Sequence, residues 1–271
     1  MPELPEVEVI KRQLIGNIVG KKIAKIEILS AKQFIGKPDD IIGAQIINVW
    51  RRAKLLGFDL NNKLTVLTHL KLTGQLIFIS KTLRSMPGRT ARIIIKFGDG
   101  SRLFFNDLRK FGWMKIVKGS RLKIKSLGYG PEPLGREFTV EYLKGILAKT
   151  RRAIKIVLMD QKKIVGIGNI YANEALFEAK IDPRRSANLL NSNEVEHLRQ
   201  AIIKVLQGGI KYGGTSAADD AYIRPDATRG RYQQKLKVYQ REGELCLNCG
   251  SKVLRIKQGG RSTFFCPVCQ K

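Results

Sequence analysis

The sequence predicts an α+β protein: an N-terminal helix and an antiparallel β-sandwich, then a helical region and a short cysteine-bearing hairpin. Three observations support this fold class. Short β-rich runs separated by turn signals fill the first half of the 271-residue chain, as in all-β domains. Apolar residues recur at a 3.6-residue period in the second half, which is typical of amphipathic helices. Two CxxC pairs lie close to the end of the chain.

The N-terminal half contains one helix and about eight strands. Residues 3–16 place Leu4, Val7, Ile10 and Leu14 at helical spacing, after a proline suited to a first turn. From residue 23 to about residue 117 the pattern changes to β-rich runs, with turn signals such as NN and GDG between them. This pattern predicts a sandwich or barrel. The runs are KIAKIEIL, AQIINVW, KLLGFDL, KLTVLTHL, QLIFIS, ARIIIKF, RLFFNDL and GWMKIV.

The second half begins with a linker and continues as helices. The stretch GYGPEPLGREF contains two prolines and three glycines, which indicates a linker. Four stretches with a helical period follow: TVEYLKGILAKT, RRAIKIVLMDQ, VGIGNIYANEALFEAKI and NEVEHLRQAIIKVLQGGIKYG. Residues 213–232 show no period and predict a long loop, which in a compact domain is usually functional or disordered. We therefore divide the chain into residues 1–130, a linker at 131–139, residues 140–232 and residues 233–271.

The charge of the chain favours a polyanionic partner. Lysine and arginine number 50 against 23 acidic residues, and the formal net charge is +27. Nucleic acid is the first candidate and an anionic membrane the second, although part of this charge could serve solubility alone. No run of eighteen apolar residues occurs, so we expect no membrane-spanning helix. The N-terminus lacks the features of a signal peptide, so we expect a reducing cytosol or nucleoid.

The four cysteines predict a metal site. Cys246 and Cys249 form one CxxC, Cys266 and Cys269 form the second, and sixteen residues lie between the pairs. Two such pairs joined by a hairpin supply the four thiolates of a structural zinc ion. Two disulfides are the alternative, but they fit a reducing compartment poorly. Arg261 lies at the predicted hairpin tip, where it could bind phosphate or simply be solvated.

The N-terminal proline could carry chemistry. Removal of Met1 would leave Pro2 with a free secondary amine, and a free α-amine has a pKa of about 7.7–8.0. An amine that titrates near neutrality can attack a carbonyl carbon and form a Schiff base. Glu3, its neighbour, could move the protons that attack and elimination require. The alternative is an ordinary helix start, in which a proline precedes acidic residues of the first turn.

Three motifs carry a resemblance that favours the catalytic alternative. PELPEVE at the start, VGIGNIYANEALF in the middle and the terminal pair of CxxC motifs resemble the formamidopyrimidine-DNA glycosylase family from end to end. The resemblance implies a bacterial DNA glycosylase and AP lyase that removes oxidised purines, a helix–two-turns–helix domain at residues 140–232 with a lesion-capping loop, and a zinc finger at 233–271. The related endonuclease VIII-like branch usually has glycine where Leu4 stands.

The resemblance also implies roles for individual residues. Pro2 would be the nucleophile, Glu3 the acid and base, and Glu6 an assistant at the same site. Lys54 would complete the catalytic set by contacting the phosphate beside the lesion. Further phosphate contacts would be made by His69, Asn169 in the GIGN turn, and Arg261 in the finger.

A second set of residues would fill the space left by an extruded nucleotide. Arg109 and Phe111, one residue apart, would point the same way on an extended tip. Leu72 stands where the family has a methionine, and leucine is the stiffer side chain. Residues 215–231 match the region that closes over the extruded base, but their sequence departs from the family pattern.

The implied partner is damaged double-stranded DNA, and the expected protein is a monomer that acts away from membranes. The reaction would pass through an iminium at Pro2 and through β- and δ-elimination, with no diffusible cofactor. Three alternatives remain: an endonuclease VIII-type enzyme for oxidised pyrimidines, a non-catalytic DNA-binding protein, and a zinc-ribbon RNA-binding protein. The last is disfavoured because the β-rich half contains no evident aromatic stacking platform.

Overall fold

A computed structural model describes residues 1–81, 88–119, 128–216 and 222–271. These residues divide into two compact units. Unit 1 takes the described residues of Met1–Leu127 and Gly209–Gln233, and unit 2 takes those of Gly128–Gly208 and Gln234–Lys271. The four-segment division given above stays a prediction about which segments act together.

Unit 1 contains nine strands in two sheets. The strands are β1 (Ile23–Ile28), β2 (Phe34–Ile35), β3 (Ile46–Arg52), β4 (Leu55–Leu60), β5 (Leu64–His69), β6 (Gly74–Ile79), β7 (Ala91–Phe97), β8 (Arg102–Asp107) and β9 (Trp113–Lys118). One sheet has the order β1-β7-β8-β6, and the other has the order β2-β9-β5-β4-β3. All neighbours are antiparallel except β2 and β9, which are parallel.

The two sheets share one apolar core, which confirms the predicted α+β sandwich. Ile93 and Phe105 of the first sheet belong to the same buried cluster as Phe58 and Met114 of the second. All eight predicted runs form strands. The ninth strand, β2, was missed because two residues are too few to show an alternating pattern.

Helix α1 (Leu4–Ile18) contributes its apolar stripe to this core. Leu4, Val7, Ile10 and Leu14 are fully buried, as their spacing predicts. The helix packs against β3, β4 and β6. The helix is therefore held against the sandwich and is buried from its first residue, Leu4.

A buried ion pair also ties α1 to β3. The Glu8 carboxylate accepts from Arg51 Nε at 2.9 Å, and it also accepts from Lys11 and Arg12 on its own helix. Burial alone would raise the pKa of Glu8. The hydrogen bonds from Lys11, Arg51 and Arg12 outweigh burial and lower that pKa from 4.5 to about 2.

Unit 2 contains most of the helical region. Its helices are α2 (Val140–Ala148), α3 (Ile154–Leu158), α4 (Asn169–Glu178) and α5 (Ser192–Lys211), the last of which crosses the boundary between the units at residues 208 and 209. The predicted helix at 151–161 is shorter than expected. The side chains of Asp160 and Gln161 accept from the backbone N–H groups of Lys162 and Gly166 and so favour a turn over another helical turn.

The C-terminal hairpin consists of β10 (Leu254–Gln258) and β11 (Arg261–Phe265). Gly259 and Gly260 join them, with φ values of 53° and 75°. A two-residue hairpin turn of this type requires positive φ at both positions, which glycine adopts without strain. Within the described ranges, the chain forms no helix long and apolar enough to cross a bilayer.

Replacing Glu8 with Gln should lower the free energy of unfolding at pH 7 by about 3 kcal/mol, because the buried Arg51 loses the charge of its Glu8 partner. The folded-state pKa of Glu8 is depressed, so the wild type should lose this stabilisation as the pH falls from 4.5 toward about 2. Urea unfolding at pH 7 measures the loss in the variant, and urea unfolding between pH 4.5 and 2 measures the loss in the wild type. The control is Glu27→Gln, which removes a partly exposed pair with Lys96 and should cost less than about 1 kcal/mol. Equal losses in the two variants would contradict a structural role for the Glu8–Arg51 pair.

Candidate functional site

The first residues of unit 1 are held by reciprocal hydrogen bonds. Glu3 caps α1, and its carboxylate accepts from the backbone N–H of Glu6. The Glu6 carboxylate returns the bond by accepting from the Glu3 N–H at 2.8 Å. Its other oxygen accepts from the Thr215 N–H at 2.9 Å. Pro2, Glu3 and Glu6 are all buried. The structure therefore brings these three predicted residues together and fixes them to a segment more than 200 residues away.

Two glycines let that distant segment approach Glu6. Gly213 and Gly214 have φ values of 75° and 86°. A Cβ on Gly214 would lie 2.6 Å from the Tyr222 ring and 3.1 Å from Glu6 Cγ. The two consecutive glycines indicate that another part of the chain comes close to them, but nothing in the sequence indicated that this part is Glu6.

Tyr222 is a buried member of this cluster that the sequence did not indicate. Its hydroxyl donates to the Gly213 carbonyl at 3.1 Å. Burial, and then the charge of Glu6, raise the pKa of Tyr222 well above its usual value. The phenol therefore stays protonated and acts as a donor.

The predicted capping loop lies partly outside the described residues. Residues 217–221 belong to that part of the chain. The described ends of the loop meet at Ser216, whose hydroxyl donates to the Tyr222 carbonyl at 2.7 Å and accepts from the Gly230 N–H at 2.9 Å. These bonds close the base of the loop beside the N-terminal cluster.

Lys54 and His69 lie where strands of the five-stranded sheet end, at the start of β4 and the end of β5. Lys54 occupies the turn between β3 and β4, after Ala53 with a φ of 55°. The next residue, Leu55, pairs with His69 across β4 and β5. The structure thus places both predicted phosphate contacts near each other, at the end of one hairpin.

His69 is neutral in this environment. Its Nδ1 accepts from the Lys71 N–H at 2.9 Å. Burial, followed by the charges of Lys71 and Lys54, lowers the pKa of His69 from 6.5 to about 3. In the free protein the ring proton is therefore on Nε2, from which His69 can donate a hydrogen bond to a phosphate.

The three predicted void-filling residues lie on two loops of unit 1. Leu72 is half-buried between β5 and β6, while Arg109 and Phe111 are exposed between β8 and β9. The second loop is a turn rather than the expected extended tip, because Lys110 has a φ of 58°. The two side chains still meet: the Arg109 guanidinium carbon lies 5.1 Å from the Phe111 ring centre.

In unit 2, Asn169 and Arg261 line the same cavity of about 550 Å³, together with Tyr239 and Arg255. Asn169 is the first residue of α4, and its Nδ2 donates to the Ser262 carbonyl at 3.1 Å. Its Oδ1 is buried and has no partner among the residues described. The exposed Arg261 directly follows the Gly259–Gly260 turn. The structure therefore joins these two predicted phosphate contacts.

Three residues that were not predicted attach the finger hairpin, or the segment that leads to it, to the helices. Lys155 is fully buried, and its Nζ donates to the Ser262 carbonyl and the Thr263 hydroxyl. Asn173 Oδ1 accepts from the Phe264 N–H at 2.8 Å. Asn173 lies in the NIYANEALF motif. A polar residue within a mostly apolar helix was the sequence signal that could have indicated this contact.

The third residue, Glu174, fixes the segment that leads to the finger. Its carboxylate accepts from three consecutive backbone N–H groups, those of Lys237, Val238 and Tyr239, at 2.9–3.0 Å. Burial raises the pKa of Glu174 despite these bonds. The polar groups of α4 thus set the position of Tyr239 beside the cavity.

The four cysteines fit one zinc ion. Their Sγ atoms all lie within 4.8 Å of one another, with Cys246–Cys269 at 3.8 Å and Cys249–Cys266 at 3.5 Å. Four thiolates at about 2.3 Å from zinc form a tetrahedron with edges of about 3.8 Å. All four thiols are free, so the disulfide alternative is set aside. A site with four protein ligands is closed, and its metal is therefore structural.

The comparisons with known proteins agree with this geometry. Residues 1–114 match the model of the formamidopyrimidine-DNA glycosylase N-terminal domain, residues 129–220 match the H2TH domain of the same family, and residues 243–271 match the zinc finger found in FPG and IleRS. The formamidopyrimidine-DNA glycosylase of Carboxydothermus hydrogenoformans is 43% identical, and that of Listeria monocytogenes is 39% identical; each alignment covers both chains completely.

Solved structures agree as well. The MutM (Fpg) protein of Thermus thermophilus superposes with a TM-score of 0.90 at 35% identity, over 99% of this chain and 98% of that one. A Lactococcus lactis Fpg mutant in complex with Fapy-dG-containing DNA gives a TM-score of 0.92 at 33% identity over the whole of both chains. The chain belongs to the formamidopyrimidine-DNA glycosylase family.

Proposed function

We propose that this protein excises oxidised purines, namely 8-oxoguanine and formamidopyrimidines, from duplex DNA and cleaves the strand at the resulting abasic site. The observation that carries the proposal is the buried start of α1, where Pro2 directly precedes Glu3 and where Glu6 fixes both to Thr215. Relatives support it, since Lactococcus lactis Fpg has been solved with Fapy-dG DNA and with abasic-site DNA.

The reaction begins at the amine of Pro2, once Met1 has been removed. The nitrogen attacks the anomeric carbon of the damaged nucleotide, the bond to the base breaks, and the base leaves with a proton. Glu3 donates a proton to the sugar ring oxygen as the ring opens, which leaves an iminium on Pro2. Loss of a C2′ proton then expels the 3′ phosphate by β-elimination, and δ-elimination expels the 5′ phosphate. Water hydrolyses the remaining iminium, which releases the sugar remnant as an unsaturated aldehyde and frees the Pro2 amine. The DNA is left with a one-nucleoside gap and a phosphate at both ends.

The remaining predicted residues bind the DNA. Lys54 and His69 in unit 1, and Asn169 and Arg261 in unit 2, contact phosphates. Leu72, Arg109 and Phe111 occupy the space that the extruded nucleotide leaves. Zinc holds the finger in shape and takes no part in the chemistry. The protein acts as a monomer in the cytoplasm, in association with the nucleoid and away from membranes.

The choice of lesion tests the proposal against its enzymatic alternative. We expect faster excision from a duplex with 8-oxoguanine opposite cytosine than from one with thymine glycol opposite adenine, measured under single-turnover conditions. Glu3→Gln should reduce the rate by about 10²–10⁴-fold, because the proton transfers lose their acid and base. A preference for thymine glycol would indicate an endonuclease VIII-type enzyme. Binding without any excision, by protein verified to lack Met1, would indicate a non-catalytic DNA-binding protein.

The neutral state of His69 gives a second test, on DNA binding. Arg261→Gln should reduce the slope of log K against log salt concentration by about one, because one fewer counterion is released. His69→Gln should weaken binding by about fivefold, the effect of one hydrogen bond, and should leave the slope unchanged. Filter binding or anisotropy at several salt concentrations measures both quantities. An equal loss of slope in the His69 variant would show that the imidazole carries charge.

A further inference from the structure

The two loops that carry the void-filling residues meet at a single buried carboxylate. Asp107 is the last residue of β8 and has no solvent exposure. Its Oδ1 accepts from the Thr73 hydroxyl and from the Arg109 N–H. Its Oδ2 accepts from the Gly112 N–H at 2.7 Å and from Gln33 Nε2 at 3.0 Å. One side chain therefore contacts the loop between β5 and β6 and both ends of the loop between β8 and β9.

Every hydrogen bond that reaches this carboxylate, within the described part of the chain, comes from a neutral group. Burying a carboxylate is costly unless it is fully hydrogen-bonded. Four donors offset that cost here, and an apolar residue in its place would leave all four without this acceptor. The arrangement is therefore better explained by the groups that it gathers than by stability alone.

The loops are folded tightly around Asp107. A Cβ on Gly112 would lie 2.7 Å from the Phe105 ring and 3.2 Å from Asp107 Oδ2. A Cβ on Gly74 would lie 2.4 Å from the Leu70 carbonyl oxygen. Each loop thus ends at a glycine that no larger residue could replace without movement of the surrounding atoms. The Thr73 hydroxyl adds a direct link, since it accepts from the Arg109 N–H at 3.0 Å.

We propose that Asp107 is a positioning residue that locks these two loops in the geometry needed to enter the base stack. Leu72 directly precedes Thr73, and Arg109 and Phe111 lie within the loop segment whose two ends bind Asp107. Together these three side chains form the wedge that would enter the stack. If the wedge is already ordered, binding does not carry the entropy cost of ordering its side chains. The proposal rests on the proposed function, because it assigns a step of nucleotide extrusion.

Asp107→Asn is the sharpest variant. Asparagine has the same shape, but its NH₂ group faces donors where the carboxylate oxygen accepted. One pair of hydrogen bonds must therefore break, and the loops loosen while the strand keeps its side-chain volume. Thr73→Val removes only the hydroxyl that links the loops, and it tests the same idea if the first variant folds poorly. The matched control is Asp99→Asn, an exposed aspartate in the turn between β7 and β8.

The experiment uses a duplex with an uncleavable tetrahydrofuran abasic site and a 2-aminopurine beside it. Wild type and Asp99→Asn should raise the fluorescence on binding, because the wedge unstacks the reporter. Asp107→Asn and Thr73→Val should raise it by roughly half as much or less at saturating protein. On duplex with 8-oxoguanine, the single-turnover rate should fall by about 10- to 100-fold with the affinity nearly kept. Borohydride trapping on single-stranded abasic DNA should be unchanged, since no stack is entered.

Three results would overturn the positioning role. One is a wild-type fluorescence increase in both variants. Another is an equal loss of trapping on single-stranded and duplex DNA, which would show a general structural role. The third is a normal duplex excision rate in both variants. Failure of the proposed function looks different, because wild type itself would then neither excise nor trap, whatever the fluorescence of the uncleavable duplex.

Discussion

The reciprocal hydrogen bonds between Glu3 and Glu6 are the constraint on which the rest of the site depends. A chain terminus normally frays, and a frayed amine cannot hold a reacting carbon in position. Here the capping box fixes the first turn of α1, and the second oxygen of Glu6 binds the Thr215 N–H. The Glu8–Arg51 pair then joins the same helix to β3. Residues that a sequence pattern would assign to helix capping thereby hold in place the terminus that the proposed mechanism uses as its nucleophile.

The predicted site residues divide between the two units. Unit 1 holds the N-terminal cluster, a neutral His69 beside Lys54, and the two loops joined at Asp107. Unit 2 holds the cavity lined by Asn169 and Arg261. Backbone groups of the hairpin that carries Arg261 form hydrogen bonds with side chains of α3 and α4. In both units, buried polar side chains set the position of exposed groups that we propose to contact DNA. The dispersed net charge of +27 would supply the non-specific attraction on which such contacts build.

The sequence predicted those features that depend on local patterns. The β-rich runs gave eight strands, and the CxxC spacing predicted the zinc site, because both are properties of neighbouring residues. The two-residue β2 was too short to detect. The bond between Glu6 and Thr215, the gathering of Thr73 and Gly112 by Asp107, and the burial that keeps His69 neutral all depend on tertiary contacts. Those contacts join residues far apart in the sequence, so no local pattern encoded them.

The most direct test of the account is to identify the atom that forms the covalent intermediate. The protein, verified to lack Met1 and to contain zinc, is incubated with a duplex containing 8-oxoguanine opposite cytosine and reduced with borohydride. The trapped adduct is then digested and mapped by mass spectrometry. The account predicts a single crosslink at the nitrogen of Pro2. A crosslink on a lysine, or no adduct while the duplex is bound, would contradict it.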